Sequence, residues 1–164
     1  MDGTIAITHL DANPLTVRIL TGHEKSVYSI DYSVRHKLVA SGGRDRDIFI
    51  WNPFLEKRLA RLKEHSAPVL RVAFNEKDSQ LITVGTDKVI KIWDIRTYRT
   101  IQTLQEDNPL VSRHAPQQMH KHKRDNFTAA YYDRKNCNIV TAVNNLKVWP
   151  MQKETTDFKL EYQG

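Results

Sequence analysis

The sequence predicts an all-β fold made of repeated units of four short strands. The first observation is a repeat, in which Gly22-His23 to Trp51-Asn52 aligns with Glu64-His65 to Trp93-Asp94 at an offset of 42 residues. The second is the interval from His to Trp, which is 28 residues in both copies. The third is that neither copy shows helical periodicity. A period near 42 residues is typical of the four-stranded blade of a β-propeller.

Within each copy, short β-rich runs are separated by turn-forming residues, and a further run leads into the next copy. Such runs at regular spacing indicate strands. In the first copy they are residues 27–32, 38–40, 48–51 and 59–62, with turns expected at 35–37 and 42–45. In the second copy they are residues 69–74, 80–84 and 89–93.

This pattern resembles the WD-repeat β-propellers. The likeness rests on Gly22-His23 with Trp51-Asn52 in the first copy. In the second copy it rests on His65 with Trp93-Asp94, which is the Trp-Asp dipeptide of that family. The resemblance implies a hydrogen-bonded chain in each copy, from Trp to Ser or Thr to His to Asp, which pairs polar groups that would otherwise be buried alone. The two structural tetrads are His23, Ser41, Asp45 and Trp51, and His65, Thr83, Asp87 and Trp93.

The same residue types could form a hydrolase triad of Ser, His and Asp. However, the grouping occurs twice at matched spacing, and Ser41 does not stand in the Gly-x-Ser-x-Gly elbow of a hydrolase. A structural role is therefore predicted, with no enzymatic activity. The sequence also contains no Gly-rich phosphate loop, Cys cluster or dinucleotide fingerprint, so it predicts neither a cofactor nor a metal site.

The two ends of the chain depart from whole repeats. Residues 2–8 align with 45–51, and 16–20 lead into His23, so only the outer two strands of a first blade are expected. A third copy has strands expected at 127–132, 138–142, 146–149 and 157–162, with a turn two residues short and no tetrad Asp. The predicted units are an incomplete outer half-blade at 1–20, WD repeats at 21–63 and 64–104, an inserted loop at 105–126 and a degenerate WD repeat at 127–164.

This count is about three and a half blades, whereas propellers have about 4 to 8. An isolated arc would leave edge strands unpaired. Two copies could not complete each other, because both half-blades would be outer halves. We therefore expect the chain to be part of a longer propeller protein, with the remaining blades supplied by the same parent chain.

The inserted loop is polar, contains two prolines, and carries the basic run His120-Lys121-His122-Lys123-Arg124. Lys121, Lys123 and Arg124 are candidate contacts for an acidic partner. A metal held by His120 and His122 is an alternative, but the loop lacks Cys and has no carboxylate at ligand spacing, which favours a solvated basic loop. The absence of a nucleic-acid-binding motif disfavours a nucleic-acid partner.

The composition fits a single-domain length of globular chain. The 164 residues include 25 Lys plus Arg against 19 Asp plus Glu, a formal net charge of +6. The lone Cys137 predicts no internal disulfide and suits a reducing compartment. No apolar run approaches the roughly 20 residues that span a bilayer, and Asp2 and His9 do not fit a signal peptide. The expected location is the cytoplasm, without membrane association.

The resemblance also implies a rim that binds partners, formed by the residues three and five after each tetrad His and the one before each tetrad Asp. Tyr28 and Arg44 are the best candidates, because Tyr and Arg often dominate binding energy at interfaces. The alternative is that both decorate a solvated edge. The six candidate rim residues are Ser26, Tyr28, Arg44, Pro68, Leu70 and Thr86.

The predicted function is a non-catalytic protein–protein interaction scaffold. Residues 65–74 and 90–97, followed by an insertion, resemble the large WD-repeat proteins of motile cilia. That resemblance implies a static scaffold in a large assembly such as the ciliary axoneme, on acidic microtubules that suit a basic chain. The alternatives are a cytosolic adaptor of a ubiquitin ligase or trafficking coat, a phosphopeptide-reading propeller and, last, the hydrolase considered above.

Overall fold

The regular structure is entirely β in the computed structural model, which describes residues 3–8, 16–105, 126–143 and 145–151. The outer half-blade contributes two strands, and the three later repeats contribute four, four and three. The strands are β1 (Ile5–Thr8), β2 (Val17–Leu20), β3 (Val27–Ser33), β4 (Leu38–Gly43), β5 (Ile48–Asn52), β6 (Lys57–Leu62), β7 (Val69–Asn75), β8 (Gln80–Gly85), β9 (Val89–Asp94), β10 (Arg99–Gln105), β11 (Ala129–Asp133), β12 (Asn138–Ala142) and β13 (Leu146–Pro150).

The strands form four antiparallel sheets in chain order: β1-β2, β3-β4-β5-β6, β7-β8-β9-β10 and β11-β12-β13. Each sheet is a meander of the kind that forms a propeller blade, so the predicted all-β propeller class, present as a partial arc, is confirmed. β10 ends at Gln105, one residue inside the predicted insertion. The strand expected at 157–162 lies outside the described residues. Among the described residues there is no helix of the length and apolarity that would cross a membrane.

Neighbouring sheets pack face to face, and three apolar clusters fill the spaces between them. The strand β4 is covered on both faces, so every one of its residues is buried. The outer strands β6 and β10 are mostly exposed because they lie at the rim of the arc. The largest buried side chains include Trp51, Phe49, Ile50, Phe74, Leu81, Trp93 and Ile139.

Equivalent positions on β3 and β7 differ sharply in burial. Val72 and Phe74 on β7 are 0% and 1% exposed, because they pack against the β3–β6 sheet. The equivalent residues on β3, Ile30 and Tyr32, are 54% and 40% exposed. Among the described residues, the sheet that precedes β3 consists of β1 and β2, which are the outer strands of their blade. These two strands pack against residues such as Phe49 on β5. One face of β3 is therefore uncovered by the described residues.

Gly42 and Gly43 serve close packing, which corrects the predicted turn at 42–45. β4 continues to Gly43, and the turn begins after it. A Cβ on Gly42 would lie 2.6 Å from the Val69 Cγ1, and one on Gly43 would lie 2.4 Å from the Ser26 carbonyl oxygen. These glycines allow the next sheet and the preceding loop to approach β4 directly.

The hairpin after each inner strand turns through one left-handed residue. Lys37, Ser79 and Cys137 have φ of 53°, 55° and 54°. A left-handed conformation costs a non-glycine residue roughly 1 kcal/mol or more. The blade geometry therefore imposes this turn on three different side chains.

Candidate functional site

The first predicted tetrad spans the loop after β2, strand β4, the turn after β4 and strand β5. His23 Nδ1 lies 2.8 Å from Asp45 Oδ2, and His23 Nε2 lies 2.7 Å from Ser41 Oγ. The Trp51 indole N–H donates to the same Ser41 oxygen at 2.8 Å. The structure thus brings all four residues into one hydrogen-bonded chain within the blade.

One protonation pattern satisfies every group in this chain. With the imidazole hydrogen assigned to Nδ1, His23 donates to Asp45 and accepts the Ser41 hydroxyl hydrogen at Nε2. Asp45 also accepts the Glu24 backbone N–H at 3.0 Å. Phe49 packs edge-on against the imidazole, with ring centroids 4.5 Å apart. These hydrogen bonds therefore connect the turn that contains Asp45 to Trp51 in the centre of the blade.

The order Asp, His, Ser is also that of a hydrolase triad, and burial decides what it can do here. Ser41 has no exposed surface, and the Trp51 N–H occupies its oxygen. A catalytic serine has to reach a substrate carbonyl. The Ser41 oxygen has no such path in this arrangement, so the geometry favours support of the blade.

The second predicted tetrad forms only in part. His65 Nε2 lies 2.8 Å from Thr83 Oγ1, and the Trp93 indole N–H donates to that oxygen at 2.9 Å. His65, Thr83 and Trp93 are buried. The inner three members are therefore arranged as in the first blade.

The predicted bond between His65 and Asp87 is absent, which corrects the expected tetrad. His65 Nδ1 is buried without a hydrogen-bond partner in the described part of the chain. Asp87 instead accepts the Ser66 hydroxyl at 2.6 Å and the Val89 N–H at 3.3 Å. In the first blade the position of Ser66 is occupied by Glu24, and Glu24 donates only its backbone N–H to Asp45. The hydroxyl of Ser66 therefore competes for the carboxylate that the imidazole would otherwise use.

Burial lowers the pKa of His65 to about 4, because the charged imidazole would lose its hydration, and the neighbouring Asp87 only partly offsets this. The imidazole is therefore neutral at neutral pH. Among the described residues, the imidazole is hydrogen-bonded to Thr83.

We expect the free energy of unfolding to fall as the pH decreases from about 6.5, the ordinary value for His, to about 4. In this window the unfolded chain binds a proton at His65 and the folded chain does not, so acid favours unfolding. The contribution of His65 levels off below the folded pKa. Urea unfolding across the pH range, with an NMR titration of the imidazole, measures both quantities. A folded-state midpoint near 6.5 would contradict the expectation.

The third repeat keeps the inner part of a tetrad, which the sequence analysis did not single out. The Trp149 indole N–H donates to Thr141 Oγ1 at 2.9 Å. The Lys147 ammonium lies 4.0 Å from the centroid of the Trp149 ring. Thr141 stands eight residues before Trp149, whereas the hydroxyl residue stands ten before the Trp in the first two repeats, because the turn of the third repeat is two residues shorter. This corrected offset would have predicted the bond from the sequence. His120 and His122, the alternative metal ligands of the inserted loop, lie outside the described residues.

A row of acceptors on β3 joins the blades and was also missed. Ser29 Oγ accepts the Val72 N–H at 3.1 Å, and Asp31 Oδ2 accepts the Phe74 N–H at 2.8 Å. Arg134, in the turn after β11, donates to both Asp31 oxygens at 2.8 Å. Asp31 thereby links three sheets. Polar residues at alternate positions of an apolar strand were the available signal, because they share one face.

Two of the predicted rim residues, Tyr28 and Leu70, lie near the start of β3 and β7, and the others lie in the loops before these strands and in the turns after β4 and β8. Backbone bonds tie these loops together, from Arg44 N–H to the Ser26 carbonyl and from Thr86 N–H to the Pro68 carbonyl, both at 2.9 Å. Tyr28 and Arg44 are exposed, whereas the other four are half-buried. Leu70 packs against the apolar cluster between the β7–β10 and β11–β13 sheets. Part of its side chain is therefore covered within the arc.

The exposed rim pair has free polar groups. Neither the Tyr28 hydroxyl nor the Arg44 guanidinium is hydrogen-bonded or ion-paired to the part of the chain that the structure describes. The basic-run candidates Lys121, Lys123 and Arg124 lie outside the described residues. Within the described ranges, no group of three or more metal-ligating side chains is found.

The arc of four sheets, two of which contain a buried Trp–hydroxyl–His chain, defines a protein of the β-propeller class. Residues 15–52 and 56–94 match the family model "WD domain, G-beta repeat". These two stretches of the chain are therefore WD repeats.

Individual relatives match over part of their length. The chain is 31% identical over 98 residues to the U5 small nuclear ribonucleoprotein 40 kDa protein of Dictyostelium discoideum, covering 59% of this chain and 28% of that protein. It is 28% identical over 85 residues to the cilia- and flagella-associated protein 337 B of Tetrahymena thermophila, covering 52% of this chain and 7% of that protein. A chain in the crystal structure of the mitotic checkpoint complex superposes with a TM-score of 0.72 at 21% identity, covering 92% of this chain and 44% of that one. The chain thus spans less than half the length of these proteins.

Proposed function

We propose that the chain is a non-catalytic scaffold that binds other proteins through the rim around Tyr28 and Arg44. The observation that carries this proposal is that both side chains are exposed and form no hydrogen bond or ion pair with the described residues. Tyr28 lies on strand β3, and Arg44 lies in a turn that a backbone hydrogen bond holds to the loop before β3. Tyr and Arg in such positions are the residue types that most often anchor protein interfaces. A preorganised rim loses little conformational entropy on binding. The hydrolase alternative is disfavoured by the burial of Ser41.

The double variant Tyr28→Ala with Arg44→Glu should lose its protein partner while its melting temperature stays nearly unchanged. Removing two interface anchors should weaken binding by about 2–4 kcal/mol, or about 30- to 1000-fold. Affinity capture with quantitative mass spectrometry, repeated by titration against the captured partner, measures the loss. Arg99→Glu, on the exposed strand β10, is the matched control. Loss of the fold in the double variant, or retained binding, would refute the rim assignment.

A second and finer proposal is a static role in the ciliary axoneme, with the basic run supplying contacts to acidic microtubules. It is supported by the likeness to the ciliary protein of Tetrahymena thermophila and by the net charge of +6. Other relatives are named as a ribonucleoprotein component and a cell-cycle switch protein, so likeness to relatives does not favour the axoneme alone. A cytosolic adaptor is the competing proposal.

Microtubule co-sedimentation distinguishes these two. For the axonemal proposal, binding should fall steeply as KCl rises from about 25 to about 150 mM, because salt screens exposed charges. Changing Lys121, Lys123 and Arg124 to Gln should lower binding at low salt by about ten-fold, as three lost contacts of under about 1 kcal/mol each would. An unaltered triple variant would exclude the basic run. The control variant carries Gln at three exposed cations outside the inserted loop: Lys57, Lys77 and Arg99.

A further inference from the structure

The second tetrad is held open by a serine that the first tetrad lacks. Ser66 follows His65 in the chain, and its hydroxyl donates to Asp87 Oδ2 at 2.6 Å. His65 Nδ1 is buried without a hydrogen-bond partner in the described ranges, which is costly for a polar atom. The imidazole and the carboxylate are nevertheless neighbours, because a Cβ on Gly85 would touch both His65 Nδ1 and Asp87 Oδ1. A reorientation of the Asp87 side chain would therefore give the imidazole its missing partner.

The first blade shows the same position with an acidic side chain. Glu24 occupies the position of Ser66 and donates only its backbone N–H to Asp45. An ionised carboxylate has no hydrogen to donate, so the Glu24 side chain does not compete for Asp45. Beside it, His23 Nδ1 and Asp45 Oδ2 are 2.8 Å apart. A hydroxyl at this position thus accompanies an open tetrad, and an acidic side chain accompanies a closed one.

Ser66 is accessible and lies beside cations. It is exposed in the loop at 63–68 that joins β6 to β7. Arg46 Nη1 donates to the Ser66 carbonyl oxygen at 3.3 Å, and Arg46 forms no ion pair with the described residues. Lys63, three residues before Ser66, is exposed as well. The intervening carboxylate of Glu64 is neutralised by the Lys91 ammonium at 3.1 Å. The loop therefore presents a reachable hydroxyl in surroundings that suit a phosphate group.

We propose that Ser66 is phosphorylated by a protein kinase that selects cations before its serine, and that the phosphate releases Asp87 to His65. Kinases discriminate between substrates partly through such charge patterns. In the reaction the Ser66 oxygen bonds to the γ-phosphorus of ATP. The bond from that phosphorus to the bridging oxygen of the β-phosphate breaks, ADP leaves with the electron pair, and the hydroxyl proton passes to the base of the kinase. The proposal does not depend on the rim residues Tyr28 and Arg44.

Phosphorylation would change the Ser66 side chain in two ways. It removes the hydroxyl hydrogen that Asp87 accepts, and it adds a charge of about −1.5 to −2 at pH 7. The like charges repel each other, so the Asp87 carboxylate turns to the imidazole of His65. The phosphate accepts a charge-assisted hydrogen bond from Arg46. The second blade then has the arrangement of the first, with the phosphate in the place of the Glu24 carboxylate.

NMR of the full 164-residue chain tests the link between Ser66 and the tetrad, with the His23 ring as internal reference. Phosphoserine is introduced at position 66 by genetic code expansion and compared with Ser66→Glu and Ser66→Ala. The phosphorylated chain and Ser66→Glu should show a downfield Nδ1–H signal for His65, as for His23. They should also raise the pKa of His65 from about 4 by about one unit or more.

Two further variants and one outcome sharpen this test. Ser66→Ala removes the competing donor without adding charge, so it should shift the His65 signal in the same direction but less. Glu24→Ser is the reciprocal variant, and it should weaken the downfield signal of His23. An unchanged His65 signal and pKa in the phosphorylated chain would overturn the link.

The acceptor site itself is tested with ATP and the catalytic domain of a kinase that prefers Arg or Lys three residues before its serine. Tandem mass spectrometry of the folded chain should locate phosphate on Ser66, and Ser66→Ala should lack it. Lys63→Ala should slow incorporation several-fold, whereas Lys77→Ala, at an exposed cation in the turn after β7, should not. Incorporation at Ser66 only after unfolding in urea, or none at all, would overturn the proposal. Circular dichroism of each variant separates loss of phosphorylation from loss of fold.

Discussion

Phe74→Ala should lower the free energy of unfolding by about 3–5 kcal/mol, whereas Tyr32→Ala, at the equivalent position of the preceding blade, should lower it by less than about 1 kcal/mol. Phe74 is fully enclosed between two sheets, so its removal leaves a cavity. Tyr32 lies on the face of β3 that the described residues leave uncovered, and truncation there exposes little that was buried. Urea unfolding followed by tryptophan fluorescence measures both values.

The pair Val72→Ala and Ile30→Ala provides the matched repeat of this comparison, two residues earlier on the same strands. Val72 is buried in the cluster that contains Phe74, and Ile30 is exposed beside Tyr32. The same inequality is expected. Equal losses at Tyr32 and Phe74 would mean that the open face of β3 is covered in solution.

Asp45→Ala should destabilise the chain by about 2–3 kcal/mol, and Asp87→Ala by about 1 kcal/mol. The first change leaves the buried Nδ1–H of His23 and the Glu24 N–H without their acceptor. The second removes a carboxylate that does not hydrogen-bond to His65, and it frees an exposed Ser66 hydroxyl and one backbone N–H. Urea unfolding gives the two free energies.

Asp45→Asn is the control for this prediction, because its amide oxygen can still accept from His23 while the negative charge is lost. It should recover much of the stability lost in Asp45→Ala. An Asp87→Ala cost as large as that of Asp45→Ala would contradict the asymmetry between the two blades.

The strands and the inner tetrad members could be predicted from the sequence because they obey fixed offsets. A hydroxyl ten residues before a Trp lies on the neighbouring strand of the same hairpin, so local register alone brings Ser41 to Trp51 and Thr83 to Trp93. The link from His65 to Asp87 could not be predicted in this way. It depends on which of two nearby donors, the Ser66 hydroxyl or the His65 imidazole, hydrogen-bonds to the Asp87 carboxylate, and the structure shows Ser66 in that role.

Contacts between blades were also beyond the sequence argument. Ser29 and Asp31 join two blades because they accept backbone N–H groups of β7. Arg71 occupies the position of Ser29 in the next blade, and its Nε–H has no acceptor among the described residues. The same position in the repeat thus accepts a hydrogen bond at one interface and presents an unpaired donor at the next. Offsets within a repeat do not report this difference, because it depends on side chains from two repeats at once.

The period of 42 residues, the short β-rich runs within each copy and the absence of helical periodicity together determined that this chain is all-β and built from propeller blades. They could do so because a hairpin register is a local property that recurs with the repeat. Only the tertiary structure decided which residues are buried, which tetrad is complete and where donors lack acceptors. Burial and hydrogen bonding depend on the neighbouring sheet, and the neighbours differ from one end of the arc to the other. That is why Phe74 is enclosed and Tyr32 is exposed at one and the same position of the blade.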